Sequence, residues 1–356
     1  MEIAWGITPK EVVMFGRSTK KSVRRWTQAA VLWLVVLAFV FSPASVGVKA
    51  DDGDDGGGFR HVFVIMMENT GFNTLIGNPN APFTNYLAVT AGLASNYFGV
   101  AHPSQPNYIA ATSGSTNGVT GDGNVTIDVQ NIVDQLESHQ KSWKAYMQSF
   151  SLCNGNLLAT SCGNQLYERK HNPFVSYQDV QSSPSRLDNI VDFSQLATDL
   201  ANDTVPDYSW ISPDQCHDMH GRGGGGASDS CDFSQVQPLI AAGDLFLSQT
   251  VSSIVNSKAW RGNSVIFIMW DESDFTGSGP SGFGDTSGCC DANPGGGHVV
   301  SLVYSRDVHR ARTSKDAFNH FSMLATIQDA WHLGCLGFTC DTKNVKPMTD
   351  LVRRDD

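Results

Sequence analysis

Apolar residues arrive along this chain in two rhythms. The first is a set of short continuous runs: "HVFVIMM" (61–67), "SVIFIMW" (264–270) and "HVVSLVYS" (298–305), with "SWKAYMQ" (142–148) and "DYSWISP" (207–213) as more mixed versions. Runs of this length with no polar alternation predict strands buried on both faces. The second is helical periodicity, in "NIVDQLESHQK" (131–141), "LIAAGDLFLSQTVSSIVNS" (239–257) and "HFSMLATIQDAWHLG" (320–334). Strands alternating with helices predict an α/β fold around a mostly parallel sheet. No internal repeat is visible. Two glycine-rich stretches, 216–231 and 275–298, forbid stable helix and are long enough to predict functional loops.

The ends of the chain read differently. Residues 1–27 hold Lys10, Arg17, Lys20, Lys21, Arg24 and Arg25; an apolar run (29–41) and the small-residue segment "SPASVGVKA" follow. That order predicts a secretory signal segment over 1–50, with cleavage after Ala50; an uncleaved N-terminal membrane anchor is the alternative. The apolar run is short for a bilayer span of about 20 residues, so no stable membrane span is expected once the segment is removed. Residues 51–60 read as an acidic, glycine-rich linker, 61–345 as a catalytic domain, and 346–356 as a polar tail. Without residues 1–50, 17 Lys and Arg face 33 Asp and Glu. This acidic balance argues against nucleic acid and against electrostatic docking on anionic membrane. An anionic substrate would need local positive charge, most simply a bound metal.

All eight cysteines (153, 162, 216, 231, 289, 290, 335 and 340) lie beyond residue 50, and an even count in an exported chain implies disulfides. Cys289 and Cys290 are adjacent, with Cα atoms about 3.8 Å apart, below the usual disulfide range. The expectation is therefore Cys153–Cys162 and Cys335–Cys340 as short loops, with Cys216 and Cys231 bonded to Cys289 and Cys290.

Polar residues gather where the predicted strands end. Ligands of open α/β sheets bind at the carboxyl ends of strands. There the first run delivers Glu68 and Asn69, "SVIFIMW" delivers Asp271 and Glu272, and "DYSWISP" leads to Asp214, His217, Asp218 and His220. His298 opens the last strand, while His309, His320 and His332 read as structural. Singly, "EN" is a strand entering a loop and "WDE" a helix cap. Together their oxygen donors suit a hard divalent ion. The stretch "AHPSQPNYIAATSG" (101–114) sets Ser104 between two prolines at the start of a short helix. Such a serine is an ordinary N-cap or, beside a metal, an activated nucleophile.

"HVFVIMMENTGF", "HPSQPNYIAATSG", "MWDESD", "GGGHVV" and "NHFSMLATIQDAWHLG", in this order over residues 60–340, resemble the phosphoesterase family of secreted bacterial acid phosphatases and phospholipases C. Within it, "HPSQPNY" and "PDQCHDMHG" are most similar to the small exported phosphatases of the mycobacterial phosphatidylinositol-3-phosphate type. The resemblance implies an alkaline-phosphatase-like three-layer sandwich and metal-dependent hydrolysis of phosphoric monoesters, on a small phosphorylated substrate or a phosphoinositide lipid. It implies a phosphoserine on Ser104, metal ligands Glu68, Asn69, Asp271 and Glu272, and phosphate contacts from Asn107 and Asp218. His102, His217, His220 and His298 are then the candidates for protonating the leaving group. In "PDQCHDMHG" Asp214 and His217 are three apart, whereas the two-zinc enzymes space this pair by four, so one metal site is implied and a second is not. Phospholipase C activity on phosphodiesters is the alternative function, and a non-catalytic surface binding module the third.

Overall fold

The computed structural model describes residues 58–226, 228–274, 284–306 and 311–352. The expected signal segment, most of the linker and His309 lie outside the described residues. Eleven strands are described: β1 (Val62–Met67), β2 (Gly92–Phe98), β3 (Trp143–Met147), β4 (Ser161–Cys162), β5 (Tyr167–Glu168), β6 (Ile190–Asp192), β7 (Tyr208–Ser212), β8 (Val265–Trp270), β9 (His298–Ser305), β10 (Arg312–Ser314) and β11 (Phe318–Asn319). β4 and β5 pair only with each other. The main sheet runs β10-β2-β9-β8-β1-β7-β3-β6, with β11 added on β2.

Every pairing in that sheet is parallel except those of β9, which runs antiparallel to both β8 and β2. β9 therefore begins, at His298, on the edge where its neighbours end. Every residue of β1 and β8 is buried, as their unbroken apolar runs require of central strands covered on both faces. Two helix groups supply the cover, giving a three-layer α/β sandwich. Helices Pro82–Thr90 and Ser194–Asn202 pack on Val236–Val255, and Ser104–Ser113 packs on His320–Trp331.

The core reaches further at both ends than hydropathy indicated. Phe59 is buried edge-on against Phe267 and Trp331, whose indole N–H donates to its carbonyl at 2.8 Å. A buried phenylalanine contributes about 2 kcal/mol, so the folded unit starts before residue 61. At the other end Met348, Leu351 and Val352 are buried, and the turn of helix Thr349–Val352 packs on β2, β9 and β10. The "polar tail" is in part core; three apolar residues among charges leave no periodic trace.

The cysteine pairing also differs from expectation. Cys153–Cys162 and Cys335–Cys340 are paired, but the other two pairs are Cys216–Cys231 and the neighbours Cys289–Cys290. The separation rule that argued against the adjacent pair describes bridges between distinct segments. Here Cys290 and Asp291 both take positive φ (58° and 68°) in a tight turn, which brings adjacent side chains together. Cys216–Cys231 consequently closes its own glycine-rich loop.

Candidate active site

Four segments leave the same sheet edge and converge. β1 ends in Glu68 and Asn69, β8 in Asp271 and Glu272, and β7 leads to Asp218. β2 leads through residues 99–103 into the helix that begins at Ser104. The approach is close. A Cβ on Gly99 would lie 2.7 Å from the Asp271 carbonyl and 2.9 Å from Gly296, so only glycine lets these backbones pass.

Ser104 is buried, and its hydroxyl lies 3.0 Å from Glu68 Oε2 and 2.9 Å from Glu272 Oε1. One turn along the helix, on the same face, the Tyr108 hydroxyl donates to Glu68 Oε1 at 2.6 Å. The Asn69 amide donates to Asp271 Oδ1 at 3.1 Å; Asn69 itself has φ 42°. Asp218 ties the segments together, its carbonyl accepting from the Glu68 amide at 2.8 Å. His102 bonds through Nδ1 to Glu272 and donates from Nε2 to the Asp285 carbonyl at 2.9 Å.

The electrostatics are lopsided. Burial raises the pKa of Glu68, Asp218, Asp271 and Glu272. For the first three the charge of a neighbouring carboxylate raises it further: Asp271 acting on Glu68, Glu68 on Asp218, Glu272 on Asp271. For His102, burial pulls the pKa down, but the bond and charge of Glu272 outweigh it and the ring is shifted up.

The predicted histidines divide. His217 is the most open, its side chain 40% exposed, and its Nδ1 donates to Asp214 Oδ1 at 2.6 Å; that bond raises its pKa. His220 is held by the Gly221 carbonyl, and burial, then Lys170, lowers its pKa to about 4. His298 is turned away from Ser104: its ring stacks on Phe72 at 4.4 Å, leans on Phe98 and donates to the Ser95 carbonyl. Asn107 also differs from the expected phosphate contact. Its Oδ1 accepts from the amides of Val100 and Ala101, and its Nδ2 donates to the carbonyls of Ala101 and Pro103. Both ends of the amide are consumed in pinning the turn that delivers Ser104.

Sequence reasoning missed four side chains around this cluster. His171 places Nε2 3.0 Å from Glu68 Oε1 and Nδ1 3.5 Å from Asp218 Oδ2, with its ring stacked on Tyr108. Lys170 bonds Asp122 at 2.9 Å. His320, buried, donates to the Asp271 carbonyl at 2.6 Å and accepts from the Tyr97 hydroxyl at 3.1 Å, so its structural reading includes positioning Asp271. Tyr108 had a usable signal, its spacing of four from Ser104. "RKH" at 169–171 had another, three basic residues together in an acidic chain.

Among the described residues no three His, Cys, Asp or Glu side chains form a ready-made ion cage. Yet Asn69 Oδ1 and Asp271 Oδ2 are buried without a partner, beside two glutamates that share the Ser104 hydroxyl. Unsatisfied buried oxygens among mutually repelling carboxylates fit a hard divalent cation.

Comparison with known proteins agrees with this architecture. The chain resembles a solved protein of the alkaline phosphatase superfamily from Vibrio parahaemolyticus (TM-score 0.51, 13% identity, 78% of this chain and 67% of that one). The fold is thus alkaline-phosphatase-like. The sequence model of the phosphoesterase family matches residues 78–334, and the chain belongs to that family; it is a hydrolase of phosphoric ester bonds. It is 27% identical to a phosphatidylinositol-3-phosphatase of Mycobacterium tuberculosis over 82% of this chain and 83% of that one. It is also 27% identical to a phosphate-repressible acid phosphatase of Penicillium chrysogenum, over 91% and 70% respectively. Of three further relatives the chain spans 40%, 57% and 39% of their length.

Proposed function

We propose that this protein is an exported, divalent-metal-dependent phosphoric monoester hydrolase acting through a phosphoserine on Ser104. Its substrates are small phosphorylated molecules or a phosphoinositide headgroup. The observation that carries the reading is the Ser104 hydroxyl, held between two buried glutamates at the head of a helix on the carboxyl edge of the sheet. Relatives named for acid phosphatase and phosphatidylinositol-3-phosphatase activity support the monoester.

Glu68, Asn69, Asp271 and Glu272, with Ser104, would hold the ion. When bound, such an ion eases deprotonation of a neighbouring hydroxyl and offsets phosphate charge. The chain's own groups then account for the rest. Ser104 gives its proton to one of the two carboxylates that hold it, and its Oγ bonds phosphorus as the bond to the leaving oxygen breaks. The leaving oxygen takes its proton from water; His217 lies against Phe246 in the groove between helices Ser194–Asn202 and Val236–Val255, away from the serine. Water then attacks phosphorus, the Oγ–P bond breaks, Ser104 regains a proton and inorganic phosphate departs. His102 orients Glu272, and Asn107 keeps the serine's turn in place.

The test is turnover of a phosphomonoester and a phosphodiester, side by side, by the chain with and without added Mg2+, Mn2+ or Zn2+. Metal-dependent monoester hydrolysis lost in Ser104→Ala is the expected result. Dominant diester hydrolysis would transfer the same core to a phospholipase C, and undiminished activity of the alanine variant would remove Ser104 as nucleophile.

A further inference from the structure

One lysine carries positive charge into the carboxylate cluster. Lys170 is mostly buried, its side chain 16% exposed, and its charge bears on Glu68, Asp218, Asp271 and Glu272 together. Its ammonium has three protons, and Asp122 Oδ2 accepts one of them at 2.9 Å. The other oxygen of Asp122 accepts from the amide of Gln105, the residue after Ser104, at 3.0 Å. One carboxylate therefore bridges a lysine and a backbone donor next to the nucleophile, as two oxygens of a phosphoryl group would.

Asp122 is also placed to yield. Its side chain is 31% exposed, and it lies between Gly121 and Gly123, around which a Cβ would meet no atom within 4 Å. Lys170, by contrast, sits in a buried 3₁₀ segment, Arg169–His171, anchored by Arg169 on the carbonyls of Leu158, Val125 and Val175. The backbone that carries the cation is anchored in the protein interior, whereas, among the described residues, Asp122 is tied only to Lys170 and to Gln105, whose Oε1 also accepts from the Gly123 amide at 2.8 Å.

We infer that Lys170 is a specificity-determining cation for the phosphoryl group, and that Asp122 is its exchangeable counter-ion, occupying the place of phosphoryl oxygens until substrate arrives. This rests on the phosphohydrolase reading of Ser104. A monoester dianion brings more charge to the carboxylate cluster than a diester monoanion, so the lysine favours monoesters. Displacement of Asp122 sets a cost on binding that also lets inorganic phosphate leave.

The experiment compares Lys170→Gln, Lys170→Arg and Asp122→Asn for hydrolysis of p-nitrophenyl phosphate and bis(p-nitrophenyl) phosphate, and for inhibition by inorganic phosphate. Lys170→Gln should lower monoester kcat/KM by about 100-fold, the usual scale for one transition-state donor. It should lower diester kcat/KM by much less and weaken phosphate inhibition at least tenfold. Lys170→Arg should recover most of the monoester activity. Asp122→Asn should tighten phosphate inhibition several-fold. Equal losses on both esters in Lys170→Gln, or weaker phosphate inhibition in Asp122→Asn, would overturn the inference. Phosphate binding by calorimetry to Ser104→Ala, alone and combined with Lys170→Gln, reads the lysine without turnover, so a wrong nucleophile and a wrong cation give different results.

Discussion

Two buried aspartates in this molecule obey opposite rules. Asp199 accepts from Lys144 at 2.6 Å, Tyr146 at 2.8 Å, Gln195 at 3.0 Å and Thr204 at 3.1 Å. Burial alone would raise its pKa, but these partners, Lys144 foremost, hold it below the ordinary range. Asp271 is buried more deeply, has one oxygen without a partner, and is pushed up by burial and by Glu272. The first is a carboxylate whose needs the fold meets; the second is one whose needs the fold leaves open. That contrast separates a structural acid from one arranged for a ligand better than burial or residue type does.

Exchanging the two roles gives the largest expected effect. Asp271→Asn should lower turnover by at least about 10³-fold while raising the melting temperature of the metal-stripped protein, because it removes an uncompensated buried charge. Asp199→Asn should do the reverse, costing about 2–3 kcal/mol of stability through its lysine and tyrosine bonds and leaving kcat/KM within about twofold. Thermal melts and kinetics on both variants decide it, and a less stable metal-free Asp271→Asn would break the comparison.

A pH series on the metal-stripped protein comes next. The raised pKa values of Glu68, Asp218, Asp271 and Glu272 mean that the folded chain binds protons the unfolded chain has released. Stability from these groups is present at the acidic end and lost as pH rises. His171, His220 and His320, all lowered by burial, lose stability as pH falls below about 6.5. Between pH 6.5 and 9 the carboxylates act together with His102 and His217, whose raised pKa values give a slope of the same sign. The melting temperature should fall across that window, and a saturating divalent ion should flatten the slope. A metal-free melt that is level there would show the carboxylates to be matched after all.

The smallest effect sharpens the picture within the site. Tyr108→Phe removes one donor to Glu68 and leaves the Ser104 contact, so turnover should drop about tenfold and stability by about 1 kcal/mol. A loss as large as that of Asp271→Asn would make Tyr108 part of the chemistry.

Much of this arrangement was legible in the residues. β1 and β8 are unbroken apolar runs because strands covered on both faces must be, and the acids at their ends stand out. β2, "GLASNYF", escaped because it is partly buried and mixes small and polar residues; β6, β10 and β11 are too short to carry a period. Ser104 was marked by its flanking prolines. Asn107 and His298 kept their place but not their expected task. Which atom an amide or imidazole faces depends on backbone brought in from elsewhere, and no local spacing encodes it. Lys170 and His171 lie in irregular segments, where hydropathy has nothing to repeat.

The order of the sheet has a consequence for the timing of synthesis. β1 lies at the centre, yet its partners are β7 and β8, which follow much later in the chain. Glu68 and Ser104 are 36 positions apart, but Ser104 and Glu272 are 168 apart, and Asn69 meets Asp271 across 202. A chain lengthening from its N-terminus thus carries Ser104 for most of its growth without Glu272, the second carboxylate that holds its hydroxyl. Contacts of such separation also close slowly. On the proposed mechanism, truncated products and nascent chains short of residue 272 should be inert toward phosphate esters, so that the onset of hydrolysis would report the completion of the fold.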